Sequence, residues 1–330
     1  MTPQARRLWV TAALIGVAAV WGGTFVLVKD AVEHYPLWGF LGLRFSIAVV
    51  AFVVLFPRSF TRFSRGTLKV GILAGLLLTA GYVFQTWGLQ GTTASKAAFI
   101  TGMFVVITPL MQAVVLRHPP RRMTLLGVAL AVGGLWLLSG ASANGWTHGD
   151  TRVLLCAVAY AAHMIVLGSL GTRHDVTALT LAQLGVVAVV CMSISLAVER
   201  PGLPTDGSVW FALLLTGILA SAVAFAVQTY AQRYISPTKT ALVLVTEPAF
   251  GGLFGWLAGD YFGIGGLAGS ALILGGMILA ELMGTGEPGV TVVHEPALEG
   301  LPVPLEESVD RRTTPDILTP AAQADPDVGP

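Results

Sequence analysis

The sequence predicts an all-α membrane protein of ten transmembrane helices, built as two inverted five-helix repeats with the N- and C-termini in the cytoplasm. Three observations predict this fold: an apolar composition, ten apolar runs of membrane-spanning length, and motifs that recur at an almost constant spacing. Hydrophobic residues make up 54% of the 330 residues and charged residues only 11%, whereas soluble domains carry about 25% charged residues. The chain therefore lacks the polar surface of a water-soluble globule.

The ten apolar runs are each long enough to cross a hydrocarbon core about 30 Å thick. We predict the first five spans at residues 8–29, 37–56, 67–88, 94–116 and 122–139. The second five follow at residues 151–171, 177–198, 208–230, 237–258 and 263–283. Because lipid cannot satisfy free backbone polar groups, runs this continuous must be helical.

The lysines and arginines predict the orientation in the membrane. With a cytoplasmic N-terminus, fourteen of the 19 basic residues fall on the cytoplasmic side and four on the other, while Arg44 stays within a span. This bias follows the positive-inside rule. Residues 284–330 hold nine acidic residues, two arginines and eight prolines, so we predict a disordered, acidic, proline-rich cytoplasmic tail.

Motifs of the first half recur in the second half at offsets of 139–143 residues. The matched positions are Trp21 with Tyr160, Thr24 with His163, Arg44 with Gln183, Gln85 with Gln228, Lys96 with Lys239, and Pro109 with Pro248. We therefore predict a first repeat at residues 1–140, a second at 141–283 and the tail at 284–330. Each repeat has five spans, an odd number, so the second repeat enters the membrane from the opposite side. Inverted repeats of this kind are typical of secondary transporters.

Several of these segments resemble one known family. WGGTFVLVK in the first span, Leu43-Arg44-Phe45 in the second and TTASKAAFITGMFVVITPL around the fourth are similar to the bacterial EamA-type branch of the drug/metabolite transporter superfamily. PTKTALVLVTEPAF and GDYFGIGGLAGSALILGG resemble that family's second repeat, and the resemblance covers about residues 8–283. The resemblance implies ten helices and alternating access around a central cavity that the first four helices of each half line. It also implies export of amino acids or other small metabolites.

One departure from the family pattern concerns the loop after the fourth helix of each half, where members often carry an acidic residue. Asp260 fits this pattern in the second half, but His118 stands at the first-half position. A matched acidic pair is therefore not expected.

Glu247 is the leading candidate for substrate or ion binding, because an ionisable group in the middle of a span is costly and suggests function. It directly precedes Pro248, and Pro248 and its repeat mate Pro109 are expected to break their helices and expose backbone carbonyls. Glu247 is interpreted either as a proton-coupling carboxylate or as a ligand for a substrate ammonium group. A purely structural carboxylate is the alternative.

The other cavity candidates come from repeat-equivalent positions. Tyr160 and His163 lie three residues apart and share a helix face, as do Trp21 and Thr24, so we expect all four to line the cavity. His163 is a proton relay or a hydrogen-bonded core residue. Arg44 binds a substrate carboxylate or pins its own helix, and its repeat mate Gln183 is predicted to line the cavity as well.

Two symmetry-related pairs are candidates for gates. Inverted topology puts Lys96 near the outer mouth and Lys239 near the inner mouth, with Gln85 and Gln228 as their partners at the same two ends. Our hypothesis is that one gate closes while the other opens. Ordinary snorkelling of the lysines at the membrane interface is the alternative.

The sequence therefore predicts a transporter of the cell (cytoplasmic) membrane, and an exporter of amino acids or related metabolites is the leading hypothesis. A multidrug or nucleobase/sugar exporter of the same fold is the alternative, and a channel or receptor is less favoured. No motif of an intramembrane enzyme occurs, so no catalytic residue, metal or cofactor is expected. The expected partners are a small-molecule substrate, protons if transport is coupled to them, and the lipid bilayer, with no nucleic acid. The paired glycines of the fifth and tenth spans indicate close helix packing, within one chain or across a homodimer.

Overall fold

The computed structural model of the chain describes residues 3–116, 122–141, 145–231, 243–261 and 263–284, together with Tyr234 and Thr240. The predicted tail beyond residue 284, Lys239 and the first part of the ninth predicted span lie outside the described residues. All regular secondary structure in the described part of the chain is helical, which confirms the all-α class.

Six helices and one 3₁₀ turn form the first half. They are α1 (Pro3–His34), α2 (Leu37–Leu55), the 3₁₀ turn Pro57–Arg62, α3 (Arg65–Leu89), α4 (Ala94–Gly102), α5 (Phe104–Leu116) and α6 (Arg122–Ala141). α4 and α5 together occupy the fourth predicted span and are separated only at Met103.

The second half repeats this arrangement. It comprises α7 (His148–Ser169), the 3₁₀ turn Gly171–Arg173, α8 (Val176–Ile194), a π turn Ser195–Glu199, α9 (Gly207–Leu214), a π segment Leu215–Val223, α10 (Ala224–Ala231), α11 (Thr246–Leu257) and α12 (Gly263–Gly284).

Seven segments of the described chain are long and apolar enough to cross a membrane. These segments are Leu8–His34, Leu37–Leu55, Arg65–Leu89, Ala94–Val114, His148–Arg173, Val176–Glu199 and Gly207–Ala231. Leu125–Leu138 and Gly263–Leu279 are shorter apolar helices at the fifth and tenth predicted spans. The described part of the ninth predicted span includes α11.

Five of the twelve described helices start at a side-chain cap on the residue directly before the helix. The side chains of Ser64, Thr93, Asp175 and Asp206 each accept a hydrogen bond from an amide of the following first turn. Thr147 and Asp150 form a reciprocal capping box at the start of α7. Caps of this kind satisfy amides that have no partner within the helix.

The two predicted helix-breaking prolines act differently. Pro109 lies inside α5, six residues after the interruption at Met103, where its missing N–H weakens the preceding turn. Pro248 lies in the first turn of α11, where a proline removes no intrahelical hydrogen bond. A Cβ atom added at Gly102 would overlap the ring of Pro248, so the interrupted fourth and ninth spans pack directly against each other.

The two halves contact each other along their length. α3 packs against α7 and α8, α2 against α8, α1 against α11, and α6 against α12. In the last of these contacts a Cβ atom at Gly134 would lie 2.5 Å from the carbonyl oxygen of Gly269, and one at Gly276 would lie 2.5 Å from that of Gly127. These four glycines therefore serve packing within one chain, and a use of the neighbouring Gly133 and Gly275 in a homodimer stays a prediction.

Candidate functional site: a cavity between the two repeats

A cavity lies between the two repeats. Ten of the fifteen described lining residues form five repeat-equivalent pairs, at an offset of 139 residues between α1 and α7 and of 143 residues between α3 and α10. These pairs are Trp21 with Tyr160, Thr24 with His163, Phe25 with Met164, Tyr82 with Phe225, and Gln85 with Gln228. The remaining lining residues are Arg44, Leu78, Phe104, Leu244 and Glu247. Among the described side chains, none from α6 or α12 lines the cavity.

Aromatic rings form much of the wall. The ring centroid of Phe225 lies 5.5 Å from that of Trp21 and 6.2 Å from that of Tyr82, and Tyr82 lies 5.7 Å from Tyr160. The indole Nε1 of Trp21 donates a hydrogen bond of 2.7 Å to the carbonyl oxygen of Ala220, in the other half. This contact fixes the indole, so the cavity has a rigid apolar side.

Arg44 carries a buried positive charge at the cavity, with 1% of the residue exposed. Its Nε donates to Ser221 Oγ at 3.1 Å and one terminal nitrogen donates to Tyr82 Oη at 3.3 Å. The guanidinium carbon lies 4.6 Å from the centre of the Tyr82 ring, close enough for a cation–π interaction. Arg44 forms no ion pair with a described residue.

His163 lines the cavity, whereas Gln183 lies behind it. Gln183 is fully buried, and its Oε1 lies 2.8 Å from His163 Nε2. The Nε2 of Gln183 donates to Thr229 Oγ1 at 3.4 Å. The prediction that Gln183 lines the cavity differs from this geometry, because Gln183 contacts the cavity only through the imidazole of His163.

Glu247 lines the same cavity and is 5% exposed. Within the described part of the chain its carboxylate forms no ion pair or hydrogen bond. Gln85 donates to Thr101 Oγ1 at 3.4 Å and Gln228 donates to Met164 Sδ at 3.0 Å. The two glutamines therefore lie at the cavity wall, although the repeat pattern predicts them at the two mouths.

Lys96 lies at the end of the molecule where α3 ends and α4 and α7 begin, which we call the Lys96 end. It is only 4% exposed, and its Nζ donates to Asp150 Oδ2 at 2.7 Å and to the carbonyl oxygen of Gly145 at 2.5 Å. Asp150 also accepts from Thr92 Oγ1 at 2.6 Å and from the amide of Thr147 at 2.7 Å. A buried ion pair therefore joins the first repeat to the second.

Two further acidic side chains join the repeats at the Lys96 end. Glu199 accepts from the amides of Trp38 and Gly39 at 3.1 and 2.8 Å, which caps the start of α2. Asp260, the acidic residue of the family pattern, accepts from the amide of Ser95 at 2.8 Å and thus caps α4. Carboxylates at helix N-termini are favourable both as hydrogen-bond acceptors and through the helix dipole.

The opposite end carries a more exposed ion pair. Arg62 Nη1 lies 3.0 Å from Asp175 Oδ2, with side chains 51% and 29% exposed. Burial raises the pKa of the Asp175 carboxyl, but hydrogen bonds from the Thr177 hydroxyl, the Ala178 amide and Arg62 outweigh it and hold that pKa below its usual range. The carboxylate is thus ionised at neutral pH.

The sequence prediction missed several functional candidates. Asp150 was missed because its contact with Lys96 joins residues 54 positions apart. Tyr82 and Phe225 were also missed, although they stand at the 143-residue offset that relates Gln85 to Gln228. Lys239 lies outside the described residues. Among the described side chains, no group of three or more His, Cys, Asp or Glu residues is placed to hold a metal ion.

Comparison with known proteins relates the chain to membrane transporters. A family model described as the EamA-like transporter family matches residues 8–140 and again residues 147–282, which indicates duplicated halves. A protein of Archaeoglobus fulgidus named an uncharacterized transporter is 32% identical over 251 residues, which cover 76% of this chain and 78% of that relative. YedA of Escherichia coli, named an uncharacterized inner membrane transporter, is 22% identical over 74% of this chain and 80% of its own length.

A solved crystal structure has the same fold. It aligns with a TM-score of 0.63 at 19% identity, covering 83% of this chain and 97% of that chain.

Proposed function

The chain belongs to the EamA-like transporter family, and from this premise we propose that it exports small metabolites, such as amino acids, by alternating access around the cavity between its repeats. Membership of this family makes it a multi-pass membrane transporter, not an enzyme. We further propose that ten helices cross the membrane, with both termini in the cytoplasm. The positive-inside bias of the basic residues supports this orientation.

One observation carries the proposal: repeat-equivalent residues from both halves supply most of the cavity wall. In an inverted repeat, a pseudo-two-fold axis exchanges the two membrane faces. When the halves exchange conformations, a cavity on this axis changes the side from which it is reached. The aromatic wall of the cavity and its basic and acidic residues, Arg44 and Glu247, suit a small polar metabolite.

The Lys96 end closes one access route under this proposal. With a cytoplasmic N-terminus it is the outer end, so the cavity is sealed on the outside by the Lys96–Asp150 pair and by the caps from Glu199 and Asp260. We propose that this seal is the outer gate and that Lys239 belongs to the inner gate. Gln85 and Gln228 line the cavity itself.

The transport proposal is tested by screening metabolite efflux and then reconstituting the purified chain in liposomes. Liposomes preloaded with unlabelled substrate should accumulate radiolabelled substrate by saturable counterflow, because a carrier exchanges substrate across the membrane without net flux. Flux without counterflow would instead indicate a channel. A screen that identifies only drugs, nucleobases or sugars would replace amino acids by one of those substrate classes.

Glu247 allows a test of proton coupling. If protons and substrate exchange, a pH gradient across the liposome should accelerate transport, and Glu247→Gln should abolish that acceleration because the amide cannot carry a proton. Counterflow at constant pH should persist in this variant if substrate binding survives. Wild-type transport that is indifferent to the gradient would identify a facilitative carrier.

A further inference from the structure

The orientation of the His163 ring is determined from behind the cavity by Gln183. The amide nitrogen of Gln183 donates to Thr229, so its oxygen faces His163 Nε2 at 2.8 Å. Because an amide oxygen only accepts hydrogen bonds, Nε2 of the imidazole must carry the proton. The neutral ring then has its lone pair on Nδ1, which has no hydrogen-bond partner among the described residues.

Two more acceptors at the same cavity lack a donor. The Oε1 of Gln228 is buried and has no hydrogen-bond partner in the described part of the chain, since the amide nitrogen is directed to Met164. The Glu247 carboxylate likewise has no described partner. Buried polar atoms are almost always hydrogen-bonded, so three unsatisfied acceptors at one cavity indicate a ligand that brings donors.

We propose that His163 Nδ1, Gln228 Oε1 and the Glu247 carboxylate form a subsite for a primary ammonium group, and that Gln183 is the residue that positions His163. An ammonium group offers three N–H donors and a positive charge, which matches three acceptors of which one is a carboxyl group. All three acceptors come from the second repeat. The inference rests on the proposed function, because it takes the cavity as the place where substrate binds.

Binding of three matched probes to the purified full-length protein tests the subsite. Phenethylamine, 3-phenylpropionate and 3-phenylpropanol share a phenyl ring suited to the aromatic wall but carry an ammonium, a carboxylate and a hydroxyl group. We expect phenethylamine to bind at least about tenfold more tightly than 3-phenylpropanol, because a hydrogen bond to a charged group raises the affinity about tenfold to a hundredfold. Calorimetry in detergent gives these affinities.

Substitution of the acceptors should act on the amine alone. Glu247→Gln and Gln228→Leu should each weaken phenethylamine binding about tenfold to a hundredfold and leave 3-phenylpropanol binding within about twofold. Equal weakening of all three probes would overturn the subsite. So would wild-type protein that binds 3-phenylpropanol as tightly as the amine, or that binds no amine while folded.

The positioning role of Gln183 is tested separately through the tautomer of His163, which would not change if Gln183 served packing alone. In ¹⁵N NMR, His163 should show the tautomer protonated at Nε2, with its signals assigned by comparison with His163→Gln. Gln183→Leu should remove this preference and weaken phenethylamine binding. The control is Thr180→Val, one turn earlier on α8, because Thr180 is buried, its hydroxyl has no described partner and it does not line the cavity. Unchanged amine affinity in Gln183→Leu would overturn the positioning role.

Failure of the subsite is distinguishable from failure of the proposed function, because binding is measured without transport. Amine-selective binding without counterflow of any ligand would leave the subsite standing and refute the carrier. Counterflow of a metabolite by a protein that does not prefer the amine would support the carrier and refute the subsite.

Discussion

At the scale of single residues, Arg44 is a charged side chain whose surroundings are consistent with two roles. Ser221 and Tyr82 hold its guanidinium, and the planar group lies over the Tyr82 ring. Those contacts alone can keep a buried arginine in place and link α2 to α3 and to the π segment Leu215–Val223. Arg44 also lines the cavity, and the hydrogen bonds to described residues involve only Nε and one terminal nitrogen, so a ligand carboxylate has donors to bind.

Arg44→Gln separates these two roles. If Arg44 binds a substrate carboxylate, the variant should bind 3-phenylpropionate and L-phenylalanine about ten- to a hundredfold more weakly, while phenethylamine affinity stays the same. If Arg44 only pins the helices, affinities for all these probes should fall together with the thermal stability. Calorimetry on the same detergent-solubilised samples, with their unfolding temperatures, decides between the outcomes.

At the scale of secondary-structure elements, the contact between α6 and α12 depends on glycines at adjacent positions with opposite environments. A Cβ atom at Gly134 would collide with the backbone of α12, whereas one at Gly133 would meet nothing within 4 Å. Gly276 and Gly275 show the same contrast on the other helix. One glycine of each pair allows close approach of the helices, and the other faces away from the protein.

The variants Gly134→Leu and Gly133→Leu make a matched test of this packing. We expect Gly134→Leu to lower the free energy of unfolding by at least about 1–3 kcal/mol, the usual cost of overpacking, and Gly133→Leu to change it little. Thermal unfolding in detergent measures the difference. Equal losses would contradict the packing, and a loss of cross-linked dimers in membranes with Gly133→Leu alone would support the homodimer alternative.

The sequence predicted the helices well, because a helix is determined by residues that are close together in the chain. Apolar runs locate the spans, and the caps at Ser64, Thr93 and Asp175 lie one residue before their helices. The constant offsets also predicted that Trp21, Thr24, Tyr160 and His163 face one cavity, and all four are among the residues that line the cavity between the repeats.

The sequence could not predict contacts between residues that lie far apart in the chain. Gln183 was expected at the cavity because its repeat mate is Arg44, yet its shorter side chain contacts His163 and Thr229 behind the cavity wall. Asp150 had no repeat mate to draw attention to it. Symmetry in the sequence predicts which helix faces correspond, but side-chain length and charge differ between the mates and decide which of them reaches the cavity.

At the scale of the whole molecule, the two ends are held together by unequal means. The Lys96 end has a buried ion pair, with side chains 4% and 0% exposed, whereas Arg62 and Asp175 at the other end are 51% and 29% exposed. Positions 7–11, which correspond to Asp150 at the repeat offsets, contain no acidic residue. The two repeats are therefore inverted in topology, but the buried ion pair occurs at one end without a counterpart at the other. This asymmetry favours a resting state closed at the Lys96 end.

A double-mutant cycle on Lys96→Met and Asp150→Asn tests whether this pair holds the end closed. Removing one partner leaves a buried charge unpaired, a loss of about 3–5 kcal/mol, whereas removing both leaves none. Each single variant should therefore unfold at a lower temperature than the double variant, and hydrogen exchange at residues 91–97 should rise in the single variants, because that end opens more often.

The exposed pair at the opposite end provides the control for this cycle. Arg62→Gln and Asp175→Asn should show a coupling energy below about 1 kcal/mol, because solvent screens the two charges, and they should leave exchange at residues 91–97 unchanged. Additive losses at Lys96 and Asp150 would mean that the pair does not act as a unit. If the cycle is coupled but counterflow rates are the same in all four proteins, the pair stabilises the fold and is no gate. If the cycle is coupled and the rates of substrate counterflow also change, breaking of this ion pair is the step that opens the Lys96 end.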